Sequence, residues 1–355
     1  MELLQLDVGI DPGREWLPGS KLGVGEKEIA IDERANWGKM GINLEKGRMK
    51  EQKVPLKIWL AELRAPFFTA SLVPVILGAV MAWHETRIFN SLYFMLTLAG
   101  VLALHTATNT LNDYFDYRSG NDLLNREANR PFDGGSPFII DGRLKAEAVY
   151  RFGVGALLLG IAIGLFLAWK RGWPIIPLGL IGVGTAYFYV EPRVKLASRG
   201  VGELLTGFCF GPLVVIGAYF VQAQTISSVA IMAGIPVGFL ITNVLFINQF
   251  PDREADLAVG KNHWVVRLGK KKAAKVFVVL VSAVYFSVAL GVLLRILPIF
   301  SFITFCTIPI NLKGVMVALK EYENSPRLRP AQALTILSHL STGLLLSLSF
   351  YLSEL

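Results

Sequence analysis

Charged residues, cysteines and histidines are scarce in this chain, and each shortage excludes a class of protein. Only 17% of the 355 residues are Asp, Glu, Lys or Arg, against 53% hydrophobic residues, which is too little charge for a water-soluble domain. The two cysteines, Cys209 and Cys306, have neither disulfide nor zinc-ligand spacing. None of the four histidines is well placed as a general base. The class that remains is a membrane protein.

The chain is instead rich in apolar runs, several of them close to the ~20 residues that cross a bilayer as a helix. The predicted spans are 58–83, 91–114, 146–169, 173–190, 203–221, 226–250, 273–294, 298–319 and 331–352. The fold class is therefore an all-α membrane protein with nine transmembrane helices in a bundle.

Residues 1–54 have a different composition. They are rich in Gly, Lys and Glu, show little periodicity, and lack the apolar core of a secretory signal peptide. We expect a disordered amino-terminal tail there and a transmembrane domain over 55–355. A translation start at Met49 or Met40, or a regulatory role of the tail, are the alternatives.

Two of the apolar runs end in a stripe of amide and carboxylate side chains. The first stripe is Asn109, Asn112, Asp113 and Asp116, and the second is Asn248, Asp252 and Asp256. Spacings of three and four residues place each stripe on one face of a helix. Such oxygen-bearing side chains suit Mg²⁺ better than zinc, and Mg²⁺ often shares its coordination shell with phosphates. Two solvated helix ends with capping acids are the alternative interpretation.

The basic residues indicate how the chain crosses the membrane. The formal net charge of +8 is also compatible with nucleic-acid binding. However, Lys and Arg concentrate before the first span and in the loops after the second, fourth, sixth and eighth spans. The positive-inside rule explains this alternation better than nucleic-acid binding does. We expect an inner-membrane protein with its amino end and both stripes on the cytoplasmic side.

The two stripes resemble the motifs of a known family. Asn112-Asp-Tyr-Phe-Asp116-Tyr-Arg-Ser-Gly120-Asn-Asp122 and Asp252-Arg-Glu-Ala-Asp256-Leu-Ala-Val-Gly260-Lys261 are similar to those of the UbiA superfamily of intramembrane aromatic prenyltransferases. Further similarity to its 1,4-dihydroxy-2-naphthoate branch lies in Gly120 with Asp122, Asp133-Gly-Gly-Ser136, Tyr189-x-x-Pro192-x-x-Lys195, Gly202-Glu203 and Phe210-Gly-Pro212.

This resemblance implies a fold, an activity and a set of site residues. The fold is a bundle around an apolar pocket with an Asp-rich mouth. The activity is Mg²⁺-dependent transfer of a polyprenyl group from a prenyl diphosphate to an aromatic quinone precursor, here 1,4-dihydroxy-2-naphthoate of menaquinone biosynthesis. The implied catalytic and metal-binding residues are Asp113, Asp116, Asp252 and Asp256. The implied substrate-binding residues are Arg64, Asn109, Asn112, Asp122, Tyr189, Lys195, Asn248 and Lys261.

Three of the polar residues have a second interpretation. Arg64 either contributes to the pocket or extends toward the membrane interface. Tyr189 either shields a carbocation with its ring or belongs to an interfacial aromatic belt. His105 either senses substrate or makes a satisfied polar contact in the core.

The acceptor and the class of activity also have alternatives. Pro251 before Asp252, and His263-Trp264, depart from the residues usual in the naphthoate branch. A related naphthoate, 4-hydroxybenzoate, homogentisate or an archaeal glycerol-phosphate lipid therefore stays open as acceptor. An ion-coupled transporter is the alternative from a different class, because intramembrane acids also mark ion pathways.

Overall fold

The computed structural model describes two units of the chain, residues 1–53 and 54–355, each in part. The described residues are the backbone of 21–24 and 27–30, together with 54–125, 128, 130, 132 and 135–353. In the first unit, β1 (Lys21–Val24) pairs antiparallel with β2 (Lys27–Ala30), a hairpin that the sequence did not predict. The rest of the predicted tail lies outside the described residues, so its disorder stays a prediction.

In the second unit, helices are the only regular secondary structure of the residues described. They are α1 (Leu56–Glu62), α2 (Thr69–Thr86), α3 (Ser91–Ser119), α4 (Asn121–Leu124), α5 (Ala146–Arg171), α6 (Ile175–Val190), α7 (Gly202–Phe208), α8 (Val214–Ala223), α9 (Ser228–Ala258), α10 (Trp264–Leu268), α11 (Lys270–Leu293), α12 (Ile308–Glu321) and α13 (Ser325–Leu352). Short 3-10 segments cover Ala65–Phe68, Leu196–Ser198 and Ile299–Thr307, and a π-helical segment, Cys209–Leu213, joins α7 to α8. The predicted all-α fold is confirmed for the described residues of this unit.

Eight helical segments of the described chain are long and apolar enough to cross a membrane. They are Ala65–Thr86, Ser91–Ser119, Ala146–Arg171, Gly202–Ala223, Ser228–Ala258, Lys270–Leu293, Ile299–Glu321 and Ser325–Leu352. The remaining predicted span, 173–190, corresponds to α6, an apolar helix of only 16 residues. A helix that crosses the hydrocarbon core needs about 20 residues, so the count of nine spans stays a prediction.

The first predicted span, 58–83, is interrupted near its start. α1 ends at Glu62, Arg64 adopts a left-handed backbone conformation with φ 51°, and α2 begins only at Thr69. Pro66 accounts for the interruption, because proline lacks the N–H that a helix needs and disfavours helical geometry in the residue before it. The sequence had suggested that Arg64 lies inside the membrane helix. It lies instead at a corner before that helix.

The helix that carries the first stripe is longer than predicted. α3 continues past residue 114 to Ser119 and ends at Gly120, whose φ of 79° is a left-handed value that glycine adopts without steric cost. The first stripe therefore lies entirely on regular helix. The chain then turns directly into the short helix α4.

The helix that carries the second stripe lies at the centre of the bundle. Phe246, Ile247 and Phe250 of α9 are fully buried in a core shared with α10, α11, α12 and α13. On its other side α9 touches the π-helical segment so closely that a Cβ on Gly211 would lie 2.5 Å from the Cα of Gly238. Small residues allow such close backbone contact between membrane helices. The second stripe is thus held by a tightly packed helix.

Candidate active site

A cavity of about 540 Å³ lies among α3, α5, α6, α7, α8 and α9. Along α3 its lining runs from Thr97 to Asp116, which corresponds to about 28 Å of helix. Apolar residues such as Leu104, Ile163 and Ile175 line most of that length. The cavity is therefore an elongated apolar space that follows the helix axes.

One end of the cavity, which we call the polar end, is lined by charged and amide side chains. These are Arg64, Asn109, Asn112, Asp116, Asn121, Asp122, Asn125, Asn248, Gln249, Asp252, Asp256, Lys261 and His263. Both stripes contribute to it, one from α3 and one from α9. The structure thus brings together two segments that lie far apart in the sequence.

The carboxylates of the first stripe are paired with cations. Asp113 is completely buried and forms an ion pair with Arg64, which reaches it from the corner before α2. Asp116 accepts a hydrogen bond from Asn112 Nδ2 at 2.8 Å, and Lys261 Nζ lies 2.7 Å from its Oδ1. A buried charge requires such a partner, because its transfer from water is otherwise very costly.

The carboxylates of the second stripe accept hydrogen bonds from neutral side chains. Asp252 Oδ1 accepts from Asn125 Nδ2 at 2.6 Å, and Asp256 Oδ1 accepts from Asn121 Nδ2 at 2.9 Å. The second oxygen of Asp256, Oδ2, lies 2.9 Å from His263 Nε2. Because the two asparagines follow directly after α3, they connect the end of the first stripe to the second.

Lys261 joins the two stripes electrostatically. Its Nζ contacts Asp116 and also lies 3.5 Å from Asp256 Oδ1. Burial opposes a charge on Lys261, but the carboxylates of Asp116 and Asp256 outweigh burial and raise the pKa of the ammonium above its ordinary value. Lys261 is therefore a permanent cation at the polar end.

Gly135 lies against the carboxylates of Asp113 and Asp122. A Cβ on Gly135, whose φ is 68°, would lie 3.1 Å from Oδ1 of each aspartate and 3.3 Å from Nη2 of Arg64. Burial raises the pKa of the Asp122 carboxyl, and the charges of Asp116 and Asp113 raise it further. The Asp133-Gly-Gly-Ser motif thus places a glycine where a Cβ would press tightly against the acids, although Asp133 and Gly134 themselves lie outside the described residues.

The next residue of that motif, Ser136, is bound to a second buried acid. Its hydroxyl donates a hydrogen bond to Glu62 at the end of α1, and both side chains are buried. Burial raises the pKa of the Glu62 carboxyl, while the hydrogen bond from Ser136 and the charge of Arg64 oppose that rise. The contact fixes the segment after residue 135 to the corner that positions Arg64.

Carboxyl groups outnumber permanent cations at the polar end. Among the described residues there, the aspartates are Asp113, Asp116, Asp122, Asp252 and Asp256, and the permanent cations are Arg64 and Lys261. Some buried oxygens have no hydrogen-bond partner, namely Asp113 Oδ2, Asn121 Oδ1 and Asn125 Oδ1. Carboxylate and amide oxygens are the ligands of hard cations such as Mg²⁺. The chemistry of this donor set fits such an ion.

The carboxylates do not form one preformed cluster. Within the described chain, no group of three or more His, Cys, Asp or Glu side chains is placed to hold a metal ion. The reason is visible in the contacts above, since Arg64 and Lys261 already occupy oxygens of Asp113 and Asp116. A cation at this end would replace part of those ion pairs.

Comparison with known proteins identifies the chain. The profile of the UbiA prenyltransferase family matches residues 71–343, which is most of its length. The chain belongs to the UbiA prenyltransferase family. It is therefore a membrane-bound transferase of a group other than methyl.

Relatives of this UbiA-family chain extend over most of its length. It is 25% identical over 295 residues to 2-carboxy-1,4-naphthoquinone phytyltransferase of Synechocystis sp., covering 83% of this chain and 93% of the relative. It is 26% identical over 274 residues to 1,4-dihydroxy-2-naphthoate octaprenyltransferase of Bacillus subtilis, covering 77% and 86%. The prediction of a UbiA prenyltransferase that resembles the naphthoate branch is confirmed.

A solved structure shares the fold. It is a UbiA homolog from Archaeoglobus fulgidus bound to DMAPP and Mg²⁺, with a TM-score of 0.54 and 16% identity, and it covers 80% of this chain and 98% of its own. At that identity the likeness establishes the helical architecture.

The other predicted site residues of this UbiA-family chain have different positions. Asn109, Asn248 and Tyr189 line the cavity, and Asn248 Oδ1 accepts a hydrogen bond from Gln332 Nε2 at 3.2 Å. Lys195 is exposed on the loop after α6, has a left-handed φ of 45°, and is not among the residues that line the cavity. Its role in substrate binding stays a prediction.

His105 lies on the apolar part of the cavity wall, one turn or more from the stripe. Its Nδ1 is 2.9 Å from Ser71 Oγ, and its ring packs edge-on against Phe210 at 4.9 Å and Phe68 at 5.6 Å. The hydrogen bond and ring contacts agree with a satisfied core contact.

Three further residues of the site, Asn121, Asn125 and His263, were not predicted from the sequence. Asn121 and Asn125 are four residues apart and continue the polar spacing just beyond Gly120, which is a signal that could have identified them. The sequence showed that His263 departs from the residue usual in the naphthoate branch. It did not show which residue the imidazole contacts. Only the fold places its ring against Asp256.

Proposed function

We propose that this protein transfers a polyprenyl group from a prenyl diphosphate to 1,4-dihydroxy-2-naphthoate, with Mg²⁺, at the polar end of the cavity. The observation that carries this proposal is a cavity that extends about 28 Å along α3 and joins an excess of carboxylates at one end to an apolar space over the rest. A prenyl diphosphate has the complementary form, since it joins an anionic head to a long apolar chain.

The charges at the polar end imply that divalent cations bind together with the donor. A diphosphate carries several negative charges, and the polar end already has more aspartates than Arg64 and Lys261 can balance. The donor could enter only together with cations, which Asp113, Asp116, Asp252 and Asp256 would hold. The Archaeoglobus homolog bound to DMAPP and Mg²⁺ supports this ligand pair.

The acceptor is proposed from the relatives. The names of the Synechocystis and Bacillus enzymes share a naphthalene ring that carries oxygens at positions 1 and 4 and a carboxyl group at position 2. Their transferred groups differ, phytyl in one and octaprenyl in the other. The proposal therefore specifies the ring and leaves the chain length unassigned.

Different residues of the cavity would act at different steps of the reaction. The bond between the allylic carbon and the diphosphate oxygen breaks. Mg²⁺ held by the aspartates would neutralise charge on the departing diphosphate. Lys261 and Arg64 would donate hydrogen bonds to that leaving group once they release their carboxylates. The apolar wall keeps water from the allylic cation, and Tyr189 offers it a π face. The ring carbon then forms the new C–C bond and loses a proton, or CO₂ where it carries the carboxyl group.

The orientation in the membrane is part of the proposal. Basic residues concentrate on the side of the bundle where both stripes end. The positive-inside rule then places the polar end and the amino end at the cytoplasmic face of the cell membrane. A charged donor would reach the cavity from the cytoplasm, while its chain lies between the helices.

A direct assay tests the acceptor. Purified enzyme is given one radiolabelled prenyl diphosphate and Mg²⁺ with each acceptor in turn: 1,4-dihydroxy-2-naphthoate, 2-carboxy-1,4-naphthoquinone, 4-hydroxybenzoate and homogentisate. We expect a lipid-soluble product with the naphthoate and none after EDTA treatment, with recovery on addition of Mg²⁺. Prenylation of 4-hydroxybenzoate alone would contradict the acceptor and leave the reaction class intact.

A further inference from the structure

His263 lies beneath the second stripe and touches one of its carboxylates. Its side chain is buried, 3% exposed, and Nε2 is 2.9 Å from Asp256 Oδ2. The other carboxylate oxygen, Oδ1, accepts from Asn121 at 2.9 Å and lies 3.5 Å from Lys261 Nζ. Both oxygens of Asp256 are therefore oriented by specific partners, and His263 is the partner on the side away from Lys261.

The local backbone determines how the imidazole is used. His263 is the N-cap of α10, and its Nδ1 accepts the backbone N–H of Val266 at 3.4 Å. An Nδ1 that accepts a hydrogen bond leaves the ring proton on Nε2, which then donates to Asp256. One imidazole thus makes both contacts at once, one to the backbone of α10 and one to Asp256.

The segment that carries His263 is anchored from behind. The backbone N–H of Trp264 donates to Glu203 Oε1 at 2.7 Å, and its indole Nε1 donates to the Gly200 carbonyl at 2.7 Å. The backbone N–H of Asn262 donates to the Ser198 carbonyl at 3.1 Å. These contacts attach the segment after α9 to the segment before α7, so the imidazole has a fixed place.

We propose that His263 is a positioning residue that holds Asp256 in the orientation required to bind a divalent cation together with the diphosphate. The proposal rests on the function proposed above. Without the imidazole, Asp256 has Lys261 and Asn121 as its remaining described partners. Its carboxylate would then turn toward the ammonium group of Lys261 and away from a bound divalent cation. Hydrogen bonds from outside the coordination shell orient metal ligands in this way, and their loss typically lowers metal affinity by roughly 10- to 100-fold.

Two kinds of substitution separate this role from capping of α10. His263→Asn and His263→Ser retain an N-cap acceptor but are too short to reach Asp256. His263→Gln places an amide N–H near the position of Nε2 but caps poorly. His84→Gln is the matched control, because His84 bonds to Ser353 at 3.0 Å in a contact between α2 and the carboxyl end of the chain.

Two quantities are measured on the purified full-length protein. One is the Mg²⁺ concentration that gives half-maximal activity, together with the rate at saturating Mg²⁺. The other is the rise in thermal midpoint that Mg²⁺ produces in the presence of a non-reactive prenyl thiodiphosphate. We expect about a tenfold higher Mg²⁺ requirement in the Asn and Ser variants, with a nearly unchanged rate at saturation. The Gln variant should keep the wild-type requirement and show a lower midpoint without Mg²⁺.

Two results would overturn the proposal. An unchanged Mg²⁺ requirement in the Asn and Ser variants would remove the link between His263 and the cation. If the Mg²⁺ requirement of the Gln variant rose as much as that of the Asn and Ser variants, the hydrogen bond from Nε2 to Asp256 would not be the cause. A wild-type protein that shows neither activity nor a Mg²⁺-dependent midpoint would instead overturn the proposed function itself.

Discussion

The two stripes are similar in sequence but are held in different ways. Asp113 and Asp116 of the first stripe are paired with Arg64 and Lys261. Asp256 of the second stripe receives hydrogen bonds from Asn121 and His263, and Lys261 lies farther from it, 3.5 Å from its Oδ1. An internal repeat that looks symmetric in the sequence is therefore asymmetric in its electrostatics.

This asymmetry predicts that the two stripes have different roles in binding the cation and the diphosphate. A carboxylate held mainly by hydrogen bonds, with its ammonium partner farther away, can accept a divalent cation with less rearrangement. A carboxylate paired with Arg or Lys has to exchange that partner, and the released cation then becomes available to the diphosphate. If the two stripes differ in this way, substitutions in them should have effects of different size.

Removal of a carboxylate charge should have the largest effect. Asp116→Asn and Asp252→Asn keep the shape of each side chain, and we expect each to lower turnover by at least about a hundredfold, since electrostatic stabilisation of the leaving group is lost. Turnover is measured with radiolabelled donor, and membrane insertion is checked by size-exclusion chromatography in detergent. Full activity in both variants would contradict a site made of two stripes.

Removal of the cation of the first stripe should destabilise the protein. Arg64→Met leaves Asp113 buried and unpaired, which typically costs about 3–5 kcal/mol. The thermal midpoint in detergent should fall clearly, and the double variant Arg64→Met with Asp113→Leu should recover much of the loss without activity. A midpoint unaffected by Arg64→Met would show that the ion pair is not important for stability.

Removal of a neutral donor of the second stripe should cost less. Asn121→Ala removes one hydrogen bond to Asp256, for which we expect about 1–2 kcal/mol of lost stability. The Mg²⁺ concentration for half-maximal activity should rise clearly although the loss of stability is small, because Asp256 loses orientation rather than charge balance. A destabilisation as large as that of Arg64→Met would remove the distinction between the stripes.

The smallest expected effect separates backbone strain from contact with the acids. Gly135→Ala and Gly142→Ala both require a left-handed residue, with φ of 68° and 67°, which costs roughly 1–2 kcal/mol. Only a Cβ at 135 would approach Asp113 and Asp122, since nothing lies within 4 Å of one at 142. We expect a higher KM for the donor in the first variant alone. Equal KM values would show that Gly135 matters only for its backbone.

The sequence was informative where the physical rule is local. Helical spacing places Asn112 and Asp116 on one face, and the structure places both at the polar end. The apolar runs predicted the long membrane helices for the same reason. These features depend on neighbours within one or two turns, which a sequence displays directly.

The sequence was uninformative where contacts cross between segments. It predicted one continuous span through Arg64, but Pro66 interrupts the helix and turns that arginine toward Asp113. It also gave Lys195 and Lys261 the same role, although only Lys261 lies between the stripes. Such pairings depend on contacts between segments far apart in the sequence, such as α4 with α9, which no local pattern encodes.

The central claim is that both stripes together hold the donor through divalent cations, and equilibrium binding of Mn²⁺ tests it most directly. Electron paramagnetic resonance would count the Mn²⁺ bound by purified protein with and without a prenyl thiodiphosphate, in the wild type, Asp116→Asn and Asp252→Asn. We predict that the wild type binds Mn²⁺ strongly only with the diphosphate and that each variant loses most of this binding. Unchanged diphosphate-dependent binding in either variant would contradict the account.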